Sequence, residues 1–234
     1  MIKRKSKNIE RMLACLMAFM MVVAFYPMTA HALGETINVN FADSFTQTTP
    51  EVLSTLDKSV TAETSAYTGK LTAKIDVNNM LKKAYEVYKK NENLAGPRVM
   101  YGPNKSAPAI TYTVNMPAGQ NVKITNTTQS ENANTISAIK PEIAADGKSV
   151  KFTIEFPWLD YQGFFKEYEK DLAAGNKYLN LAINYEGTAA KGTSYESVKN
   201  GITASGGGEL WYYGKWFSSK VMTITTDTAT FPLF

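Results

Sequence analysis

From residue 36 onward, apolar and polar residues alternate in short runs, which is the period of half-buried strands. The alternation predicts strands at 36–41, 71–77, 109–116, 122–127, 149–156, 178–185, 208–213 and 216–226. The run at 149–156 is the clearest. Val150, Phe152, Ile154 and Phe156 point one way, and Lys151, Thr153 and Glu155 the other. Asp146-Gly147 just ahead of it is a turn signal.

Two segments break this period of two. Over 78–92, Leu81, Ala84, Tyr85 and Tyr88 share one helical face, with lysines and Glu86 largely opposite. Over 160–174, Tyr161, Phe164, Phe165, Tyr168 and Leu172 follow helical spacing, and Asp171 joins the charged face. Asp160 is placed to cap this second helix, Leu159 to staple onto Phe164, and Gly175 to close it. Each helix follows a Gly-Lys-led strand, at Gly69-Lys70 and at Gly147-Lys148. That correspondence suggests two pseudo-repeated halves, 33–126 and 134–234, joined by the polar stretch 126–134, which reads as a linker. Abundant threonine and the turn signals point to a mainly β fold. The expectation is an antiparallel β-sandwich of immunoglobulin-like style with two short amphipathic helices in strand connections; α+β is the rival layout.

Charge and composition change the picture at the N-terminus. The formal charge of +4 comes from 25 Lys+Arg against 21 Asp+Glu. Residues 1–32 hold Lys3, Arg4, Lys5, Lys7 and Arg11 against Glu10, so the remaining 202 residues carry 20 of each sign. An apolar run over 12–26 follows the basic end, then Pro27 and the small-x-small pattern Ala30-His31-Ala32. This predicts a signal peptide, 1–32, cleaved after Ala32. Its long basic region resembles the signals of Gram-positive exported proteins. The apolar run falls short of the roughly 20 residues needed to span a bilayer, so membrane contact is expected only through the transient signal. The expected location is secreted or cell-surface.

The same partition limits the chemistry. Cys15 and His31 are the only cysteine and histidine, and both fall in 1–32. The mature region then lacks the groups for a Cys/His metal site, a thiol nucleophile or a Ser-His-Asp triad. Its neutrality argues against nucleic acid. Gly206-Gly207-Gly208 has no Lys-Ser/Thr after it, so it reads as a bulge or turn rather than a phosphate loop. No metal or cofactor is expected. A Lys–Asn crosslink built on a residue such as Lys74 has no motif behind it. Glu155 and Asp160, flanking Pro157-Trp158, are the one carboxylate pair that could serve glycoside cleavage. Their positions fit a polar strand face and a helix cap better, so no enzyme is expected.

The aromatic hairpin is the most informative local feature. Leu210-Trp211-Tyr212-Tyr213 and Trp216-Phe217 flank Gly214-Lys215, which predicts a two-residue turn. Tyr213 would then face Trp216, and Tyr212 would face Phe217. Trp211, Tyr213 and Trp216 would share one face with Met222 and Ile224, leaving Tyr212 and Phe217 on the other. Trp211, Tyr212, Trp216 and Phe217 are therefore the candidate binding residues, because exposed rings on a sheet stack sugars or anchor partners. The expected function is a non-catalytic exported or surface module for adhesion or protein interaction, with an extracellular protein or glycan as partner. A carbohydrate-binding module is the alternative, and a carboxylate-dependent glycoside hydrolase a distant third.

Overall fold

Alternation along the strands becomes two sheets with apolar inner faces. The computed structural model of the chain describes residues 36–38, 64–90, 92, 97–190, 193, 200–215, 218–226, 228–231 and 233. They belong to the unit Leu33–Phe234. The expected signal peptide, 1–32, lies outside the described residues. The elements are β1 (Thr36–Asn38), β2 (Thr64–Asp76), α1 (Val77–Lys90), β3 (Ala109–Asn115), β4 (Asn121–Glu131), β5 (Ala138–Ile143), β6 (Ser149–Glu155), α2 (Tyr161–Ala174), β7 (Tyr178–Ala190), β8 (Ile202–Tyr213), β9 (Ser218–Thr225) and β10 (Ala229–Phe231). No helix among the described residues is long and apolar enough to cross a membrane.

The larger sheet has the order β1-β9-β8-β3-β6-β5, with β10 also pairing with β8. The smaller has the order β2-β7-β4. Pairing is antiparallel throughout except between β1 and β9, which run parallel. The layers meet through alternate residues. Leu71, Ala73, Leu181 and Ile183 of the small sheet, with Tyr112, Val114, Phe152 and Ala204 of the large one, line a void of only about 10 Å³. Full burial of a Leu, Ile, Val or Phe side chain among them contributes roughly 1.5–3 kcal/mol. The mainly β sandwich with two helices is thus as the pattern predicts.

Two tyrosines close one part of the small sheet. Gly69 pairs with Tyr185 and Gly187 with Tyr67 in the β2–β7 ladder. Each ring lies over the opposite glycine, where an added Cβ would overlap it. The Tyr185 hydroxyl then donates to the Leu233 carbonyl at 2.7 Å.

The helices pack on each other through rings. Tyr88 stacks on Phe165 at 4.4 Å, and Tyr85 lies 5.0 Å from Tyr168 and donates to Glu169 at 2.7 Å. Asp76 caps α1 by accepting from Asn79 N at 3.0 Å. Asp160 caps α2 by accepting from Gly163 N at 2.6 Å, and Gly175, with φ of 64°, closes it. The caps of α2 are those the sequence predicts.

Several expectations differ from the structure. The stretch 126–134 is not a linker, because β4 continues through it to Glu131. The polar residues beyond a bulge between Ile124 and Asn126 continue this edge strand and stay paired with β7. The two halves interleave: β2 and β4 flank β7, while β3 lies between β6 and β8. The strands β5 and β10 are additional. Pro141 is accommodated in β5 because β5 is an edge strand. In α2, Asp171 is fully buried and Leu172 is 51% exposed, the reverse of the amphipathic reading.

Candidate functional site

The hairpin of β8 and β9 carries a bulge that sets which rings face solvent. Leu210 pairs with Met222, whereas Trp211 pairs with Lys220. Val221 is therefore extra, and Val221 and Met222 are both buried as neighbours. The register also moves at the turn. Tyr213 pairs with Ser218, and Tyr212 with Ser219, where the expected two-residue turn would put Trp216 and Phe217.

The bulge inverts the predicted faces. Met222 and Ile224 still turn inward, but now together with Leu210, and Tyr212 packs against the same core. The Arg98 guanidinium lies over the Tyr212 ring at 5.1 Å. Trp211 and Tyr213 take the outer face. Of the expected binding rings, Trp211 thus points outward and Tyr212 inward. Trp216 and Phe217 lie outside the described residues.

The segment after Arg98 completes the outer surface. Tyr101 pairs with Trp211 in an isolated bridge, with backbone bonds of 2.9 and 2.7 Å in the two directions. Val99 pairs with Asp160 in a second isolated bridge, closed by Met100 N donating to the Leu159 carbonyl at 2.9 Å and Tyr161 N to the Arg98 carbonyl at 3.0 Å. Cross-strand partners share a face, so Tyr101 joins Trp211, and Val99, two residues earlier, lies on that side as well. Val99 is 40% exposed and Trp158 is 55% exposed. Trp158 meets Tyr101 edge-on at 5.3 Å, Tyr101 meets Tyr213 edge-on at 5.5 Å, and Tyr213 lies nearly parallel to Trp211 at 5.9 Å. Four rings from three separate segments form one continuous surface cluster.

Polar groups frame these rings. The Trp211 indole N–H donates to Glu209 at 2.9 Å, and Lys220 reaches the same carboxylate at 3.0 Å. Lys220 first and Trp211 second hold the Glu209 carboxyl below its usual range. Lys105 sits with its ammonium 5.9 Å from the Tyr213 ring. It follows Asn104 in a short 3-10 turn, Pro103–Lys105, and both residues adopt positive φ, 55° and 60°. That left-handed conformation is uncommon for residues other than glycine.

The candidate carboxylates have other partners. Glu155 binds Lys140 at 2.6 Å, and Asp160 accepts from Gly163 N. Lys74 is exposed and lies 3.6 Å over the Tyr178 ring. Sequence reasoning missed Tyr101 and placed Trp158 only beside the carboxylate pair. The available signal was the odd-position pairing of Val99 with Tyr101, just before a Gly-Pro turn. What sequence periodicity could not supply was the contact between Tyr101 and a strand more than a hundred residues later.

A further opening lies on the small sheet. It is a shallow depression of roughly 630 Å³ over Thr72, Lys74, Thr128, Ser130 and Asn180, with no aromatic ring in its lining.

No family model and no curated protein matches the chain. Among solved structures, it is similar to a Streptococcus agalactiae AgI/II polypeptide BspA C-terminal domain, with 13% identity and a TM-score of 0.20. A second BspA C-terminal structure gives 15% identity and a TM-score of 0.21, covering 76% of this chain. The chain spans about half the length of those solved chains, 49% and 50%.

Proposed function

We propose that this protein is a non-catalytic exported or cell-surface module of the adhesion type. It binds an extracellular partner through the outer-face cluster of Trp158, Tyr101, Tyr213 and Trp211. The carrying observation is that cluster: four rings in successive contact, with Trp158 55% exposed. Rings with one face wet and one edge anchored supply large contact area at low entropic cost. Export rests on the basic, then apolar, then small-x-small order of residues 1–32. A non-catalytic role is supported by the carboxylates nearest Trp158, since Glu155 is paired with Lys140 and Asp160 caps a helix.

Adhesion of beads coated with the purified chain, scored on layers of host epithelial cells and on extracellular matrix, tests this reading. Replacing Trp158 and Tyr213 together by Ala is expected to lower attachment about tenfold, a loss of about 1.4 kcal/mol. Leu172→Ala, an exposed apolar change elsewhere, should leave attachment unchanged. Equal attachment by the double variant and the wild type would overturn the proposal.

A further inference from the structure

Asparagine followed by glycine carries a chemistry of its own. The glycine nitrogen can reach the side-chain carbonyl carbon of the asparagine, and no Cβ on the glycine shields it. In a folded chain the step is open only where the nitrogen and the amide are not held elsewhere, because reactivity depends on reaching the attack geometry. Asn200 is the only asparagine of the chain that precedes a glycine. It is exposed and lies in a turn, and Gly201 leads directly into β8. Among the described residues the Gly201 N–H has no acceptor. The Asn200 side chain is held at Oδ1 by Thr230 Oγ1, at 3.4 Å, and its Nδ2 has no acceptor among the described residues. The attacking nitrogen and the leaving nitrogen are both unengaged.

Asp146-Gly147 is the counterpart that the fold holds closed. There the Gly147 N–H donates to the Ala144 carbonyl at 2.8 Å, and Asp146 Oδ1 accepts from Lys148 N at 2.9 Å. Gly147 takes a φ of 69° in the turn ahead of β6. Its nitrogen and the neighbouring carboxyl are therefore both engaged in the turn.

We propose that Asn200-Gly201 is a self-modification site, at which Asn200 converts to aspartate and isoaspartate through a succinimide, with water as the only co-reactant. The Gly201 nitrogen loses its proton and bonds to Asn200 Cγ; the Cγ–Nδ2 bond breaks and the amide leaves as ammonia. Water then opens the five-membered ring. Opening at Cγ restores the ordinary main chain with an aspartate at position 200. Opening at the other carbonyl routes the main chain through the side chain and lengthens it by one methylene. No electron is gained or lost. Either product adds one negative charge, and the lengthened chain enters β8 just before Ile202, a fully buried residue paired with Phe231 of β10.

Mass spectrometry of the purified full chain, incubated at mildly alkaline pH and then cleaved after glutamate in acid, tests this. Residues 197–209 leave as one peptide in which Asn200 is the only asparagine. That peptide should become about 1 Da heavier and split into two forms that elute apart. Its rate should lie within about threefold of a synthetic 197–209 peptide, since the fold does not hold the reacting atoms apart. Asp146 should form no isoaspartate in the folded chain over the same period, while a synthetic 143–155 peptide accumulates it. Gly201→Ala, with circular dichroism unchanged, should slow conversion of Asn200 at least about tenfold, because its methyl crowds the attacking nitrogen. An Asn200 that keeps its amide in the folded chain while the free peptide converts overturns the proposal, as does a rate that Gly201→Ala leaves unaltered. Isoaspartate at Asp146 as fast in the folded chain as in its peptide overturns the role given to the engaged N–H.

Discussion

Asp171 shows how one side chain can organise a connection. Its buried carboxylate accepts from Asn134 N at 2.9 Å, Thr135 N at 3.0 Å and Thr135 Oγ1 at 3.0 Å, with Lys177 Nζ 3.7 Å away. These bonds pin the segment between β4 and β5 to the last turn of α2. Asp171→Ala would leave the N–H and hydroxyl of Thr135 buried without an acceptor, at a cost of about 3 kcal/mol in urea unfolding. Leu172→Ala, at a position 51% exposed, should change stability by less than about 0.5 kcal/mol. The opposite ranking would contradict this account. Helical spacing alone ranks them the wrong way, because it sorts residues by polarity and cannot see a loop arriving with unpaired donors. The caps at Asp160 and Gly175 were legible for the converse reason: their partners lie within one turn of the same helix.

At the scale of elements, local pairing was readable and long-range register was not. The Ser149–Glu155 strand and the Asp146-Gly147 turn before it match expectation, and Gly147 takes the positive φ of 69° that the turn requires. The β8–β9 hairpin did not, because the bulge at Val221 breaks the strict alternation from which its faces were read. That one extra residue exchanges the faces expected for Trp211 and Tyr212: Trp211 takes the outer side, and Tyr212 packs half-buried against the core. The reciprocal Tyr-over-Gly pairs in β2 and β7 offer an element-scale test. Gly69→Ala forces a methyl into the Tyr185 ring and should cost about 2 kcal/mol by overpacking, measured by thermal unfolding. A Gly69→Ala chain as stable as the wild type would contradict the ring-over-glycine packing.

For the whole molecule, buried tyrosines tie the fold to alkaline pH. Burial pushes Tyr67 and Tyr168 up to about 12, and burial followed by the Glu92 charge does the same for Tyr88. Burial raises Tyr112, Tyr161 and Tyr185 as well. Each folded value exceeds the ordinary 10.0, so the folded chain holds its phenolic protons more tightly. The resulting stability is fully present below pH 10 and is lost as pH rises through about 12. Phenolate absorbance at 295 nm should therefore show Tyr67, Tyr88, Tyr112, Tyr161, Tyr168 and Tyr185 ionising only well above pH 10, together with loss of near-ultraviolet circular dichroism. Ionisation of these six near pH 10 with the fold intact would contradict the buried ring packing.

The functional account depends on where the partner lands. Oxidative footprinting of the purified chain, bound to epithelial cell surfaces and free, reads this directly by mass spectrometry. Trp158, Tyr101 and Tyr213 are predicted to be protected in the bound state, while the small-sheet surface around Thr72, Ser130 and Asn180 keeps its free-state reactivity. Protection of that small-sheet surface with Trp158 oxidised as fast as in the free chain would contradict the account.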